Sequence, residues 1–127
     1  METLAIPLFG DDVAPRFCAA DEFLVVPLER DGPGTARRTS VAGASWTERL
    51  SRLRAMGVTV LLCGGFNRQF LPLARGVGLR VESGLAGAAA DLAAAYASGE
   101  LERFRLARRL RGRRRRRRRR WDGRKDV

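Results

Sequence analysis

The sequence predicts an α/β fold in which a five-stranded mixed sheet carries helices on its faces and is followed by a basic tail. Three observations carry that expectation. Short apolar, β-branched runs alternate with glycine- and proline-rich turns. Helical spacing of apolar residues sets in only after the third such run. The composition then changes abruptly after residue 102, where arginine takes over.

"TLAIPLF" (residues 3–9), closed by Gly10, reads as a buried strand, and "EFLVVPLE" (residues 22–29) as a second. Pro27 lacks an N–H, which suits an edge, a bulge or the far end of that strand. "RDGPG" (residues 30–34) is a turn by composition, and "TARRTSVA" (residues 35–42) completes an antiparallel meander. In "ASWTERLSRLRAMG" the apolar stripe Trp46, Leu50, Leu53 and Met56 marks a helix, with Gly57 placed to end it. "VTVLLC" (residues 58–63) reads as a central strand buried on both faces. After the paired glycines comes a short helix bent or limited by Pro72, then a strand "LRVES" (residues 79–83). The alanine-rich stretch from Leu85 to Gly99 is a strong helix former. The order β-β-β-α-β-α-β-α implies right-handed crossovers after the meander, an architecture near the ribonuclease-H-like type. The domain is placed at residues 1–102. Residues 103–127 form an arginine-rich tail, expected to be helical at first and then disordered.

The charge is unevenly placed. Residues 1–110 carry 14 arginines and 12 acidic residues, a net of +2, whereas residues 111–127 carry 11 basic and two acidic ones, a net of +9. The run Arg113, Arg114, Arg115, Arg116, Arg117, Arg118, Arg119 and Arg120 repels itself and has no apolar face to bury, so it reads as a solvated interaction tail. It is suited to polyanions: nucleic acid, an acidic protein partner or anionic headgroups. Trp121 is a single candidate for base stacking. No apolar run is long enough for a membrane span. With no signal-like segment and only two cysteines, Cys18 and Cys63, the expected location is the cytoplasm, with reduced thiols. The chain has no histidine, which removes the commonest general base and metal ligand.

Two connections are candidates for function. "GDDVAPRFCAAD" (residues 10–21) is long for a link between adjacent strands, and long connections in compact domains tend to be functional. "CGGFN" (residues 63–67) carries a buried strand into a helix through two glycines. Those glycines suit either the approach of an anionic ligand to backbone N–H groups or simply a tight strand–helix turn.

These segments carry a resemblance. "LAIPLFGDDVAPRFCAADEFLVV" resembles the opening of the dinitrogenase iron–molybdenum cofactor biosynthesis family, the NifX-like domain also found at the C-terminus of NifB. "GVTVLLCGGFNRQFLPLARGVGLRV" is similar to that family's second signature, and "GLAGAAADLAAAYASGEL" to its closing helix. The resemblance spans residues 4–101. It implies the ribonuclease-H-like topology and a non-enzymatic carrier or accessory role for iron–sulfur or iron–molybdenum cluster precursors. Cluster donor or acceptor proteins are the partners it implies, and a homodimer is compatible with it.

The cofactor-binding residues expected from the resemblance and the loops are Asp12, Pro15, Arg16, Phe17, Cys18, Gly64, Gly65 and Asn67. Many family members have histidine where this chain has Arg16, and arginine does not ligate metal. Cys18 and Cys63 remain as the candidate thiolate ligands, facing one crevice, with Arg16 and the amides of Gly64 and Gly65 offsetting negative charge. The other reading makes Cys63 a small core hydrophobe and Cys18 a loop thiol. Two thiolates do not close a tetrathiolate site, so a cluster needs a second copy, a partner or exogenous ligands. A two-metal nuclease would need converging carboxylates; Asp11, Asp12, Asp21, Glu22 and Asp91 are the available ones, and none lies inside the first strand. A third reading is an interaction module whose tail docks on nucleic acid or an acidic partner.

Overall fold

The computed structural model describes residues 2–106; the arginine run and the rest of the basic tail lie outside them. The fold is mixed α/β, an open sheet with three α-helices. Its strands are β1 (Thr3–Phe9), β2 (Asp12–Val13), β3 (Glu22–Glu29), β4 (Gly32–Pro33), β5 (Arg37–Ser40), β6 (Val60–Leu62) and β7 (Arg80–Glu82). The helices are α1 (Trp46–Ala55), α2 (Leu71–Gly76) and α3 (Ala89–Ser98). Along the sheet the order is β4-β3-β1-β6-β7, with β5 also pairing β3 and β2 pairing β1. β1 runs antiparallel to β3 and parallel to β6, which in turn runs parallel to β7.

Period-two alternation sends each strand's side chains into two separate cores. Ala5, Phe23, Val25, Leu61 and Cys63 pack on one face against Leu50 and Leu53 of α1 and Ala74 of α2. Leu4, Ile6, Val26, Val60 and Leu62 pack on the other against Ala89, Leu92 and Ala93 of α3. Helices therefore cover both faces, and β6, lying between β1 and β7, is buried throughout, as its unbroken apolar run predicts.

Local chemistry explains the boundaries. The Ser45 side chain caps α1 by accepting from the Glu48 N–H at 3.2 Å, while its hydroxyl donates to the Glu48 carboxylate. Pro27 sits in the interior of β3, opposite Thr3, not at an edge. Its missing N–H is tolerated because pairing on that flank changes there, from β5 at Val25 to β4 at Leu28. The third helix starts later than its composition suggests. Residues 85–88 are drawn into backbone bonds with neighbouring loops, so α3 begins at Ala89. After α3, the three-residue spacing of Leu101 and Phe104 gives a 3₁₀ turn (Leu101–Phe104). Arg105 then leaves helical geometry to bridge Leu85, so the chain stays on the domain past residue 102.

One buried cation ties the first helix to the loop ahead of β3. Arg49 is only 6% exposed. It donates through Nε to the Ala44 carbonyl at 2.9 Å and through Nη1 to the Ala20 carbonyl. Among the described residues two backbone acceptors and no carboxylate hold it, an arrangement in which the rigid guanidinium fork acts as a brace. Substituting Arg49→Met, which keeps the stem and removes the donors, is expected to lower unfolding free energy by about 2 kcal/mol in a denaturant titration. Arg52→Met, whose side chain bonds Ser40 at the surface, should change it by less than about 0.5 kcal/mol.

Candidate functional site

The parallel strands β1, β6 and β7 release their chains at the same end of the sheet, and the pairing continues through the loops beyond them. Phe17 N–H donates to the Gly65 carbonyl (2.9 Å) and Gly65 N–H to the Pro15 carbonyl (2.6 Å). Gly84 N–H donates to Gly64 (2.7 Å) and Leu85 N–H to Cys63 (3.1 Å). Leu106 N–H in turn reaches Gly84 (2.7 Å), and Ala86 N–H reaches Phe104 (3.0 Å). Four loop segments thus form a second, shorter ladder stacked on the end of the sheet. Val13 and Ala89 add cross-links to Gly87 and Asp11, both at 2.9 Å.

Gly64 is what lets this ladder close. A Cβ there would lie 2.6 Å from the Ala14 carbonyl oxygen and 2.7 Å from that of Pro15. Close approach of another backbone, here the chain's own loop, is therefore the reason for glycine. The Gly65 amide is taken by Pro15 and is not free to bind an anion, which, of the two sequence readings of that turn, favours the tight turn over the anion approach at Gly65.

Two cavities flank the ladder and share Gly65 and Phe66 as their common wall. The smaller, about 320 Å³, is lined by Arg16, Phe17, Cys18, Trp46 and Asn67 besides that wall. Its floor is aromatic: Phe17 stacks on Trp46 at 4.7 Å and 6°, Trp46 on Phe70 at 4.2 Å and 10°, and Phe66 stands edge-on to Phe17 and Trp46. Such stacking fixes ring positions beyond what area burial supplies. The larger cavity, about 640 Å³, is lined by residues that follow β1, β6 and β7, five of them glycine, alanine or serine besides the shared Gly65, together with Asp12 and Leu106.

The expected site residues divide between these spaces. Arg16, Phe17, Cys18 and Asn67 belong to the smaller cavity, Asp12, Pro15 and Gly64 to the larger, and Gly65 to both. Phe17 is fully buried and contributes a wall, and Asn67 caps the following turn by accepting from the Gln69 N–H at 3.2 Å. The structure does not place the two thiols in one crevice. Cys18 is exposed and faces the smaller cavity, while Cys63 is fully buried and lines neither cavity. Burial pushes the Cys63 thiol up to about 12, opposed by the charge of Arg105, so it remains protonated at neutral pH. Among the described residues no three His, Cys, Asp or Glu side chains are placed to hold a metal ion. Of the loop carboxylates, Asp11 and Glu22 both face Arg38, at 2.7 and 3.8 Å. Arg113 through Arg120 lie outside the described residues.

Sequence reasoning passed over Trp46, assigned to the helix stripe, and the whole 83–87 loop. A faint signal was present: β6 and β7 are each followed by small residues and then a large apolar one, in "CGGF" and "ESGL".

Two outcomes follow. Gly64→Ala is expected to destabilise by about 1–3 kcal/mol in chemical unfolding through the clash at Pro15. Gly76→Ala, in α2 with open space around it, should be neutral or stabilising by up to about 1 kcal/mol. The second concerns alkali. Cys63 has its folded pKa raised from 9.0 to about 12 by burial. Tyr96 is raised from 10.0 to about 12 by burial and its bond to Glu2. A raised folded pKa stabilises fully below the unfolded value and is lost above it, so stability should fall by about 1.4 kcal/mol per pH unit between about pH 9 and 12 for Cys63, and less steeply between about pH 10 and 12 for the more solvated Tyr96. Cys63→Ala should flatten the first part of that slope in pH-dependent denaturant titrations.

No family model matches the chain, and no curated protein sequence matches it. Solved structures do. The protein PH0822 superposes with a TM-score of 0.71 at 20% identity, covering 77% of this chain and 92% of that one. A NifB candidate from Thermotoga, assigned to the DUF35 family, gives 0.64 at 21% identity over 79% and 90%. A dinitrogenase candidate from Methanocaldococcus jannaschii gives 0.62 at 14% identity over 77% and 89%. At these identities the likeness is one of fold: this chain is built like proteins named for NifB and dinitrogenase.

Proposed function

We propose that this protein is a NifX-like accessory protein, not a catalyst, which carries an iron–sulfur or iron–molybdenum cluster precursor as cargo in the smaller cavity. The ribonuclease-H-like classification of the fold belongs to the same reading, supported by the antiparallel meander followed by parallel β6 and β7. The observation that carries the proposal is one exposed thiol, Cys18, set beside the Arg16 cation on an aromatic-walled cavity. The names of the structural neighbours point the same way.

Each group has a stated part. Cys18 supplies the protein's thiolate, the ligand type that soft iron–sulfur cargo prefers. Arg16 offsets the negative charge of a sulfide-rich cluster without ligating it. The Phe17, Trp46 and Phe66 rings keep water from that side and hold the cavity's shape. Cys63, expected from sequence as a second ligand, has no part in this version because its thiol is buried and protonated. One protein thiolate makes for a transient hold, as a carrier requires; the remaining ligands are the cargo's own, a donor or acceptor protein's, or those of a second copy.

The experiment is anaerobic reconstitution with iron and sulfide, followed by metal and sulfide analysis of the full chain. Wild type and Cys63→Ala are expected to load, and Cys18→Ser to lose most of its cargo. Equal loading in all three proteins, or none in wild type, contradicts the proposal.

A further inference from the structure

The described residues are neutral in total but unevenly charged. Residues 35–80 carry eight arginines and one acidic residue, a net of +7, whereas residues 2–34 and 81–106 carry four arginines and eleven acidic residues, a net of −7. The fold turns this division of the chain into a division of the surface. α1 and α2 pack on one face of the sheet, and α3 and the 3₁₀ turn after it on the other. On the first side Arg52 and Arg54 of α1, Arg68 in the turn into α2 and Arg75 of α2 are exposed. Among the described residues none of these four pairs with a carboxylate, and the one acidic residue nearby, Glu48, accepts from the Ser45 cap. On the second side Asp91, Glu100 and Glu102 are exposed.

Apolar groups are exposed among these cations. Leu73 of α2 is 47% exposed, and the partly exposed Trp46, Phe66 and Phe70 lie where the start of α1 meets the turn into α2. The combination separates the candidate polyanions. Arginine is the only basic residue type in residues 1–106, and its planar fork pairs with a carboxylate through two bonds. Arginine and aromatic side chains are enriched at protein interfaces, where lysine is depleted. A phosphodiester backbone gains nothing from an exposed leucine, and Trp46 has both ring faces covered, by Phe17 and Phe70, so it offers none to a base. The chain's own basic tail has the same sign as this surface, which sets the two apart. A second copy offering its acidic side would join unlike surfaces and leave one of each open at the ends of the assembly.

We infer that the α1–α2 side is a docking surface for an acidic protein partner, which sets carboxylates against Arg54, Arg68 and Arg75 and an apolar side chain against Leu73. α1, at ten residues, is about 15 Å long, so a standard patch of about 800 Å² per partner spans both helices. A partner seated there lies beside the smaller cavity, which Trp46 and Phe66 line together with the exposed Arg16 and Cys18. That the same partner gives or takes cargo rests on the carrier role proposed above; the docking itself rests on charge and exposure alone.

The test uses the full-length chain with Arg113 to Arg120 replaced by serine, so that the tail does not capture the probe. It is run without iron or sulfide, so that its outcome is separate from cluster loading. The probes are a fluorescein-labelled amphipathic peptide of glutamate and leucine, an all-glutamate peptide of equal charge and a thymidine oligonucleotide of equal charge, titrated at low salt. The glutamate–leucine peptide should bind tightest and shift amide resonances within residues 46–56 and 66–77, with none along α3. Combining Arg54→Gln, Arg68→Gln and Arg75→Gln should weaken that peptide on the order of tenfold. Leu73→Ser should weaken it by about fivefold and leave the all-glutamate peptide unchanged. These are surface substitutions, and unchanged far-ultraviolet dichroism shows that each variant folds. Three results overturn the inference: no binding, binding that the arginine substitutions do not move, or shifts centred on α3. Tighter binding of the oligonucleotide than of either peptide overturns the choice of a protein partner. Arginine-dependent self-association in sedimentation also overturns it, assigning the surface to a second copy.

Discussion

The carbonyl oxygens of Ala14 and Pro15 occupy the space that any side chain at position 64 would need. From that close approach the rest of the site follows. It allows the Pro15 carbonyl to accept from Gly65 and the Phe17 amide to return a bond, so the long connection after β1 is laid against the end of β6 as an extra ladder segment. The 83–86 and 104–106 segments then add to the same ladder. Backbone groups that would otherwise need water at the sheet's end are satisfied by neighbouring loops, and the loops acquire the order of the sheet beneath them.

This arrangement puts two chemically different spaces side by side. One is walled by stacked rings and presents a cation and a thiol; the other is lined by the glycine-rich loops after β6 and β7, by Asp12 and by Leu106. Gly65 and Phe66 separate them. Buried Arg49 sets the far end of the first connection by donating to Ala20, so the loop bearing Arg16 and Cys18 is held at both ends, by the ladder and by α1.

How much of this was legible in the sequence depends on the range of the interaction. β1, β3 and β6 could be read because their apolar runs match buried strands, and Gly57 and Gly99 end helices in the left-handed conformation that favours glycine. The 85–99 stretch was read as helix from Leu85 because alanine propensity is local, whereas the bonds that remove residues 85–88 come from Cys63, Phe104 and Val13, far along the chain. The site was legible as two loops but not as two cavities. Cys18 and Cys63 look equivalent on a line of text; only the alternation along β6 sends Cys63 into the core while Cys18 lies on a surface turn. Gly64 and Gly65 were visible as special, but what approaches them is the chain itself. Trp46 was hidden in a helix stripe whose spacing says nothing of the ring stack it joins.

The central claim is that the loops at the end of the sheet are a continuation of it. Amide hydrogen exchange at Phe17, Gly65 and Gly84 measures this directly. Protection approaching that of β6 amides, lost only with global unfolding, is the predicted result. Exchange at the rates of exposed loops, with β6 still protected, would show that the ladder is not formed and would contradict the account.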